Sequence, residues 1–556
     1  MSRSLFSVVK VDPLPRHPRV LLAFPRFTKQ SFWSLTALCE VSARKWPSPP
    51  LGMITVAALL PADWDVRLID CNVEELTDAD ILAADMVMTG GMIPQRVDCL
   101  DIIARVRALG RPVLVGGPDI TSSPDIFSAA DFRIIGEAET VMPRFVESWR
   151  AGERSGDFEA EKYKTDVTAS PMPRYDLLKI DRYLSISVQF SRGCPFTCEF
   201  CDIIELFGRV PRAKTAEQVL GELSRIHELG HRGVVDFVDD NLIGNKKAVK
   251  AFLPHLIAWQ EAHGYPFEFY TEASINLADD AQLLALMKRA NFNLVFIGIE
   301  TPDPDALVQM RKKQNTRRDI ADSIALIHKA GIQVHAGFII GFDQEAAGSA
   351  EAMIACIEDS AIPVCMIGLL AALPNTQLSR RLVDEGRLDP ERDLDFAAAL
   401  DENISGDQCS FGLNFRTLRP RRAILVDYRN VLEKVYDTDA FFSRVERMML
   451  RMNIAVLPER FDLRKLKTDL VSVFGIVKWL TVRDRSLIRP FLRTLYRIAR
   501  QNFPAARIAI AMMTFYFHLG PFAREVIQSL DDEIGQIEPD SGSPEAHARV
   551  ELAKVS

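Results

Sequence analysis

Three cysteines at short, unequal spacing are the most chemically distinctive feature of the sequence. Cys194, Cys198 and Cys201 are arranged as C-x3-C-x2-C. They follow the apolar run 184–190, which predicts a strand, so they fall in the loop after it. Thiolates this close together can converge on a single metal cluster, and a cubane iron–sulfur cluster normally takes four cysteine ligands. This loop offers three, so one iron would stay open to a ligand that is not protein.

A zinc site or a disulfide framework could also account for the three cysteines. A structural zinc site needs a fourth Cys or His at close spacing, and the nearest histidine, His227, lies well downstream. A disulfide framework needs an oxidising compartment and pairing partners. The chain has nine cysteines, an odd number without a regular framework elsewhere, which indicates a reducing cytoplasm. The spacing therefore favours the cluster.

The cysteine spacing resembles the signature of the radical S-adenosylmethionine (SAM) enzymes. The resemblance implies a [4Fe-4S] cluster held by Cys194, Cys198 and Cys201. It implies that the amino and carboxylate groups of SAM chelate the open iron. It also implies that Phe200, the aromatic residue before the third cysteine, packs beside the adenine.

Two aspartates follow the next predicted strand, 233–238. They begin the run Asp239-Asp240-Asn241, and in radical SAM proteins this position typically binds the amino group of SAM. Either Asp239 or Asp240 could accept charge-assisted hydrogen bonds from that group. The alternative, of equal weight, is that the run caps the predicted helix 246–262.

Further family-like positions come later in the same order. Glu272 and Glu300 end two predicted strands, where the resemblance places a carboxylate near the ribose hydroxyls or the methionine end of SAM. The stretch from Gly337 to Gly341 resembles the G-x-I-x-G motif that lines the adenine through backbone contacts. Each signal is weak alone, but their order after the cysteines makes them specific together.

Length and composition bound the class of protein. The 556 residues suggest several domains, and 48% apolar with 26% charged residues is ordinary globular composition. The net charge of −8 gives no reason to expect nucleic acid as a partner. The N-terminus lacks the apolar core of a secretory signal. No run reaches the roughly 20 apolar residues of a membrane-spanning helix. We therefore expect a cytoplasmic protein, at most peripherally attached to a membrane.

The first 150 residues predict an open parallel α/β sheet. The expected strands, which alternate with helices such as 51–60 and 97–109, are 19–24, 65–70, 85–89, 111–115 and 132–135. Their carboxyl ends, where ligands bind in such sheets, carry glycines and one acidic residue: Gly90, Gly91, Gly116, Gly117, Gly136 and Glu137. Glycine there lets backbone approach a large flat cofactor, although tight turns would also explain it.

With the cysteine motif downstream, this region resembles the cobalamin-binding domain that precedes some radical SAM modules. The resemblance implies cobalamin at the glycine-bearing strand ends. One departure is clear: the motif D-x-H-x-x-G, whose histidine coordinates cobalt, is replaced by the residues 25–29, Pro-Arg-Phe-Thr-Lys. The only nearby histidine, His17, precedes the first strand. A lower histidine ligand from this domain is therefore not expected.

The remaining chain is divided as follows. Residues 151–178 are charged and predict a linker or an edge hairpin. Residues 179–400 repeat a strand-helix unit six times, which fits a partial (β/α)6 barrel or an open sheet. The cysteine motif, through its resemblance to the radical SAM enzymes, implies the barrel. Thr215 and Gln218 have the spacing of a capping box at the start of the predicted helix 216–228. Residues 401–538 predict a helical domain with helices over 421–435, 440–451, 463–480, 485–500 and 505–530. Between residues 416 and 507 basic residues outnumber acidic ones, which is typical of a solvated face or of an anionic lipid contact. Residues 539–556 predict a disordered tail.

The two resemblances together imply a function. The chain resembles the cobalamin-dependent radical SAM methylases, and this resemblance covers residues 18 to 530. The stretches FVDDNLIGN and CEFCDI are similar to the branch that includes the hopanoid C-2 methylases. This implies methylation of an unactivated carbon of a small apolar substrate through a 5′-deoxyadenosyl radical, with ferredoxin or flavodoxin as electron donor. Open alternatives are a non-methylating rearrangement or cyclisation, and a corrinoid sensor with an inactive barrel. No catalytic side chain is assigned.

Overall fold

The computed structural model describes residues 14–28, 31–316, 318–346, 348–388, 409, 412–454 and 463–537. They fold into two compact units. The first unit is built from the described parts of Met1–Arg26, Pro50–Thr165 and Ala169–Leu177, and the second from those of Phe27–Pro49, Asp166–Thr168 and Leu178–Ser556. The expected tail 539–556 and the expected boundary at residue 400 lie outside the described residues.

The elements are numbered here in chain order. The strands are β1 Arg19–Phe24, β2 Asp65–Asp70, β3 Met86–Gly90, β4 Val113–Gly116, β5 Phe132–Ile135, β6 Gly156–Glu159, β7 Ile186–Val188, β8 Ser191–Arg192, β9 Arg212–Ala213, β10 Gly233–Phe237, β11 Phe267–Glu272, β12 Phe292–Glu300, β13 Gln333–Ile340 and β14 Cys365–Leu369. The helices are α1 Thr36–Val41, α2 Leu51–Leu59, α3 Asp78–Ala83, α4 Arg96–Ala108, α5 Pro118–Ser122, α6 Ala138–Ala151, α7 Ile203–Leu206, α8 Ala216–Glu228, α9 Lys246–His263, α10 Ala281–Arg289, α11 Pro304–Gln309, α12 Ile320–Lys329, α13 Ser349–Ser360, α14 Gln377–Asp384, α15 Arg421–Val435, α16 Thr438–Arg451, α17 Leu463–Lys478, α18 Ile488–Gln501, α19 Ala506–Thr514 and α20 Tyr516–Gln536.

The first unit contains a six-stranded sheet in the order β2-β1-β3-β4-β5-β6, with every pair parallel. The central strands β1, β3 and β4 are nearly continuous apolar runs, as parallel strands covered on both faces must be. The order reverses beside β1, so a crevice forms at the carboxyl ends of β1 and β3. The predicted parallel α/β sheet is confirmed.

The sheet has one more strand than the sequence predicts. Strand β6 lies in the stretch expected to be a linker or hairpin, and it pairs in parallel with β5. Only Phe158 of this strand is buried, because an edge strand needs just one apolar side chain facing the core. Its charged composition therefore conceals it in the sequence.

The second unit contains six parallel strands in the order β7-β10-β11-β12-β13-β14. Each new strand is added on the same side of the last. Right-handed crossovers then place all the connecting helices on one face, and the other face curves inward as in a (β/α)8 barrel. The partial barrel is confirmed, and the competing open sheet is wrong because the strand order never reverses.

Helices α15 to α20 follow the barrel in the second unit. They contribute apolar side chains to a shared core, among them Tyr428, Phe441 and Tyr516. The single helix expected over residues 505–530 is two helices, α19 and α20, which meet at Phe515. Within the described parts of the chain, no helix is long and apolar enough to cross a bilayer.

Candidate functional site

The three cysteines lie in one loop after β7, and backbone contacts between the two ends of the loop hold it closed. Gly193 has a φ of +95°, and a Cβ there would stand 2.9 Å from the Gly208 carbonyl oxygen. The Cys194 N–H donates to the same carbonyl at 3.2 Å. Short strands β8 and β9 pair on either side of the loop. The two ends of the loop therefore lie close together, and the three cysteines lie between them.

The two aspartates after β10 hold the entrance of this loop. Asp239 accepts hydrogen bonds from the Phe190 N–H at 3.0 Å and from the N–H and hydroxyl of Ser191, and Asp240 accepts one from the Gly193 N–H at 2.7 Å. Burial raises the pKa of Asp239 to about 6 and that of Asp240 to about 7, although these hydrogen bonds by themselves lower both pKa values. The alternative that this run caps α9 is wrong, since Asn245 caps that helix.

Amide side chains reach two of the three sulfurs. The Asn241 Nδ2 lies 3.9 Å from the Cys194 Sγ, and the Gln314 Nε2 lies 3.9 Å from the Cys198 Sγ. Asn241 also contacts Ser274 at 3.2 Å, which ties the end of β10 to the residues after β11. Hydrogen bonds to ligand sulfurs are one of the levers that set the potential of an iron–sulfur cluster.

The donor set fits such a cluster. All three thiols are free, and burial raises the pKa of Cys194, Cys198 and Cys201. A desolvated thiol becomes a thiolate most readily on a metal centre, which supplies the missing positive charge. No group of three His, Cys, Asp or Glu side chains among the described residues has the geometry of a single-ion site. In a cubane cluster each cysteine ligates a different iron.

A second polar group lies at the end of β12. Glu300 forms a buried ion pair with Lys312, and its backbone has a φ of +68°, which is uncommon for a residue other than glycine. The β12–β13 register shifts between Gly298 and Glu300. The Asn315 amide donates to the Gly298 and Ile299 carbonyls at 3.3 and 2.9 Å, so it fixes this irregular strand end.

Lys312 connects this group to the cysteine loop. Burial opposes its charge, but the Glu300 carboxylate and the Cys198 thiolate outweigh burial and raise the pKa of Lys312. Its Nζ lies 5.9 Å from the ring centroid of Phe200, a cation–π arrangement. Phe200 in turn contacts the ring of Phe342 at 6.1 Å, beside Gly341. The predicted residues Phe200, Glu300 and Gly341 therefore belong to one neighbourhood.

The sequence reasoning missed Lys312, Gln314 and Asn315. They belong to the polar run from Arg311 to Asn315, which follows a strand-end carboxylate and the short helix α11. A run of cations and amides in that place is the signal that could have identified them, because strand ends on this face of a barrel carry its chemistry.

The inner face of the second sheet is only partly covered. Alternate β12 residues Val295, Ile297 and Ile299 are fully buried against helices, whereas Phe296 and Gly298, which point the other way, remain accessible. Gly298 is in register with Gly337 on β13, so two neighbouring strands carry no side chain there. A Cβ on Gly298 would meet the Glu300 and Lys312 side chains, and one on Gly337 would lie 3.2 Å from the Phe296 ring. The two glycines therefore make room for these neighbouring side chains.

Glu272 lies on this inner face beside Phe296. Its side chain is accessible, yet protein surrounds it on the curved face of the sheet. This desolvation and the nearby carboxylates of Asp240, Asp239 and Glu300 raise the pKa of Glu272 to about 7. A carboxylate whose pKa is raised in this way favours a cationic or hydrogen-bond-donating ligand. The amino group or the ribose hydroxyls of SAM would provide such a ligand.

Aromatic residues continue the same face. Trp33, in the segment 27–49, contacts the ring of Phe296 at a centroid distance of 5.3 Å and is 45% exposed. Phe27 stacks on Trp46 at 5.7 Å in the same segment. The contact between Trp33 and Phe296 shows that the segment packs on the barrel.

The other predicted ligand residues lie in the first unit, at the ends of β3, β4 and β5. Gly90 is in register with Gly116, and a Cβ on Gly90 would stand 1.9 Å from the Gly116 carbonyl oxygen. The residues that follow them, Gly91 and Gly117, also approach each other, since a Cβ on Gly117 would lie 3.1 Å from the Gly91 carbonyl oxygen. This cradle beside the switch point, in which backbone meets backbone at two glycine pairs, fits a large flat cofactor such as cobalamin.

The remaining residues complete that edge. The Gly136 N–H donates to the Thr121 hydroxyl at 2.9 Å, and Glu137 is buried just before α6. Where a cobalt-ligating histidine would stand, Arg26 donates through its backbone to Asp98 at 2.7 Å. His17 pairs with Asp63 at 2.6 Å, at the amino end of β1. The described residues of this unit thus offer no histidine at the carboxyl edge of the sheet.

Comparisons with known proteins match three family models to successive parts of the chain. The family model of the B12 binding domain matches residues 41–146, that of the Radical SAM superfamily matches 188–357, and a domain of unknown function, DUF4070, matches 376–532. The structure of the cobalamin-dependent S-adenosylmethionine radical enzyme OxsB aligns with a TM-score of 0.54 at 16% identity, covering 94% of this chain and 82% of that one. That likeness concerns the fold.

Two curated relatives extend over nearly the whole chain. An uncharacterized methyltransferase of Synechocystis sp. is 42% identical, covering 97% of each protein. The hopanoid C-2 methylase of Rhodopseudomonas palustris is 34% identical over 91% of this chain and 94% of the relative.

Proposed function

We propose that this protein, which belongs to the cobalamin-dependent radical SAM methyltransferases, places a methyl group on an unactivated carbon of a small apolar, hopanoid- or lipid-like substrate. The observation that carries the proposal is the chain-long relation to a hopanoid C-2 methylase. The protein's cofactors are a [4Fe-4S] cluster, SAM and cobalamin. When bound, the cluster and SAM supply the radical that removes a hydrogen, and cobalamin supplies the methyl group.

The chain's own residues position these groups. We assign Cys194, Cys198 and Cys201 to the cluster, with Asn241 and Gln314 as hydrogen-bond donors to two of the sulfurs at 3.9 Å. The oxygens of Asp239 are engaged by the backbone before the cysteine loop. We therefore propose that Asp239 fixes the loop, and that Glu272 and Asp240 are the carboxylates that meet SAM.

Two further sets of residues complete the cofactor assignment. Phe200, Gly337 and Gly341 are proposed to line the adenine of SAM. Glu300 is proposed to support this group through its ion pair with Lys312. Gly90, Gly91, Gly116, Gly117, Gly136 and Glu137 are proposed to hold cobalamin through backbone and a single buried carboxylate.

An apolar substrate agrees with the inner face of the second sheet. Phe296 and Trp33 present aromatic surface there, and their rings are in contact at a centroid distance of 5.3 Å. Apolar walls bind hydrocarbon by burial and keep water from a reactive carbon radical. Carbon–carbon bond formation of this kind needs no proton transfer, so no catalytic acid or base is assigned.

The proposed partners follow from the chemistry. An external one-electron donor such as ferredoxin or flavodoxin must reduce the cluster, and a lipid-like substrate implies peripheral contact with a membrane from the cytoplasmic side. Nucleic acid is not expected as a partner, since the chain carries a net charge of −8.

The test is turnover of anaerobically reconstituted enzyme with methyl-deuterated SAM, a reductant and a hopanoid. We expect a product heavier by one labelled methyl group, together with release of 5′-deoxyadenosine. Release of 5′-deoxyadenosine without methyl gain would indicate a rearrangement or cyclisation and contradict the proposal. Absence of SAM cleavage after reduction would indicate a corrinoid sensor.

A further inference from the structure

Helix α17 carries an apolar stripe that faces away from the protein. Its members are spaced three or four residues apart, so they share one side of the helix, and their exposed fractions run from 43% to 72%: Leu463, Leu466, Leu470, Val473, Phe474 and Val477. With Val471, seven of the 24 large apolar side chains exposed among the described residues belong to this one helix. Such a concentration marks an interaction surface.

The opposite side of α17 fixes this orientation. A Cβ on Gly475 would lie 2.1 Å from the Val41 carbonyl oxygen, so the backbones of α17 and α1 are in direct contact. Ile476 and Leu480 are buried, and the ring of Trp479 stacks on that of Phe517 at 5.5 Å. Rotating the helix to hide the stripe would expose these residues instead. The stripe is therefore a fixed outer surface.

Basic residues surround the stripe. Lys467 lies four residues after Leu463, and Lys478 four residues after Phe474, so each lysine borders the apolar side chains and is itself exposed. Helix α17 contains four basic residues and one acidic residue, a net charge of +3, whereas the whole chain has −8. The occupant of this surface must therefore accept apolar side chains and carry negative charge.

We propose that α17 docks on an anionic membrane surface, lying in the plane of the headgroups with its stripe among the acyl chains. An amphipathic helix with an apolar face and flanking lysines binds in this way, and each lysine near an anionic surface adds about 1 kcal/mol. Lysine side chains bury their stems beside the apolar residues and keep the ammonium groups at headgroup level.

Charge decides against a second copy of the chain as the occupant. A symmetric dimer through this surface would oppose two helices with a net charge of +3 each, and like-charge juxtaposition destabilises an interface. The stripe spans about 21 Å along the helix at 1.5 Å per residue, which is long enough to lie on a membrane. This inference adds a surface to the proposed function, and its test requires no turnover.

The test is co-sedimentation of the full-length protein with vesicles. We expect binding to mixed phosphatidylglycerol and phosphatidylcholine vesicles, weaker binding to phosphatidylcholine alone, and weakening by salt. The double variant Leu470→Ser/Val473→Ser should lower the partition coefficient at least about tenfold, because it removes two buried aliphatic side chains from the contact. Lys467→Gln and Lys478→Gln should each lower it about fivefold on anionic vesicles only.

The matched control is the double variant Leu326→Ser/Val383→Ser, whose side chains are exposed to 52% and 58% on α12 and α14. It should bind as the wild type does. The proposal is overturned if the wild type binds neither vesicle, or if both double variants bind alike. It is equally overturned if α17 variants abolish a concentration-dependent dimer instead of vesicle binding. A protein that binds vesicles but methylates no hopanoid would refute the substrate and leave this surface in place.

Discussion

The two six-stranded parallel sheets of this protein differ in their strand order and in the residues at the carboxyl ends of their strands. The first reverses its strand order beside β1 and ends its strands in glycines whose backbones approach each other, as at Gly90 and Gly116. The second never reverses, and its strand ends and the loops after them carry carboxylates, a lysine and three thiols. Reversal opens a crevice that backbone can line, whereas one-directional winding gathers strand ends around a mouth that side chains fill.

The difference indicates what kind of ligand each sheet suits. A large flat cofactor needs an even cradle without side chains, and glycine at strand ends provides it. A cluster and a zwitterionic ligand need fixed charges and hydrogen-bond donors at defined places. The four predictions that follow separate these two roles, beginning with the largest effect.

Removal of one cluster ligand should abolish radical chemistry and spare the first sheet. In anaerobically reconstituted enzyme, Cys194→Ala should release no detectable 5′-deoxyadenosine, because only three thiols are available and all would be needed. Iron and sulfide should fall, and corrinoid content should stay at the wild-type level. The control is Cys356→Ala, a similarly half-buried cysteine on α13 outside the loop. Equal corrinoid loss in Cys194→Ala would contradict the separation of roles.

The reciprocal change in the first sheet is Gly90→Ala. The added methyl would overlap the Gly116 carbonyl oxygen, at 1.9 Å from it, and the backbone conformation alone would cost about 1–3 kcal/mol. We expect loss of corrinoid with normal iron and sulfide. Gly52→Ala on α2 serves as the control, because a Cβ there would have no neighbouring atom within 4 Å. If both variants keep corrinoid, the cradle is not where cobalamin binds.

The buried ion pair in the second sheet predicts a third effect. Lys312→Met should destabilise the protein by about 3–5 kcal/mol, because it leaves the Glu300 carboxylate buried without its cation. The double variant Lys312→Met/Glu300→Gln should recover most of this loss in chemical denaturation. If the single and double variants lose the same free energy of unfolding, the pair contributes through packing alone.

The smallest expected effect concerns acid stability. Burial lowers the pKa of His328 on α12 to about 3, from an ordinary 6.5. Below pH 6.5 the unfolded chain therefore takes up a proton that the folded protein refuses, and folding loses about 1.4 kcal/mol per pH unit. His328→Leu should remove that slope, so its stability relative to the wild type should rise steadily between about pH 6 and pH 4. A pH-independent difference would mean that His328 is accessible to protons.

Most of the elements were predictable because they depend on local patterns. Helix α15 has the predicted bounds, and α8 begins at the predicted Thr215–Gln218 capping box. Strand β6 was not predicted as a strand, because its parallel pairing with β5 is a long-range contact and its own residues are mostly charged. The division of helix 505–530 at Phe515 also depends on packing among helices rather than on a breaker in the sequence.

The sequence alone determined the chemistry of this protein, since ligand identity and spacing are covalent properties. It supplied three thiols in one loop, carboxylates at the strand ends, glycines at another sheet's edge and a strongly basic C-terminal stretch. Only the tertiary structure decided how those groups are used. It engaged Asp239 in holding the cysteine loop, brought Lys312 from a later loop onto Glu300 and Phe200, and turned the stripe of α17 outward. Which side chains meet, and which face solvent, depends on contacts between residues far apart in the chain, and local patterns do not encode those contacts.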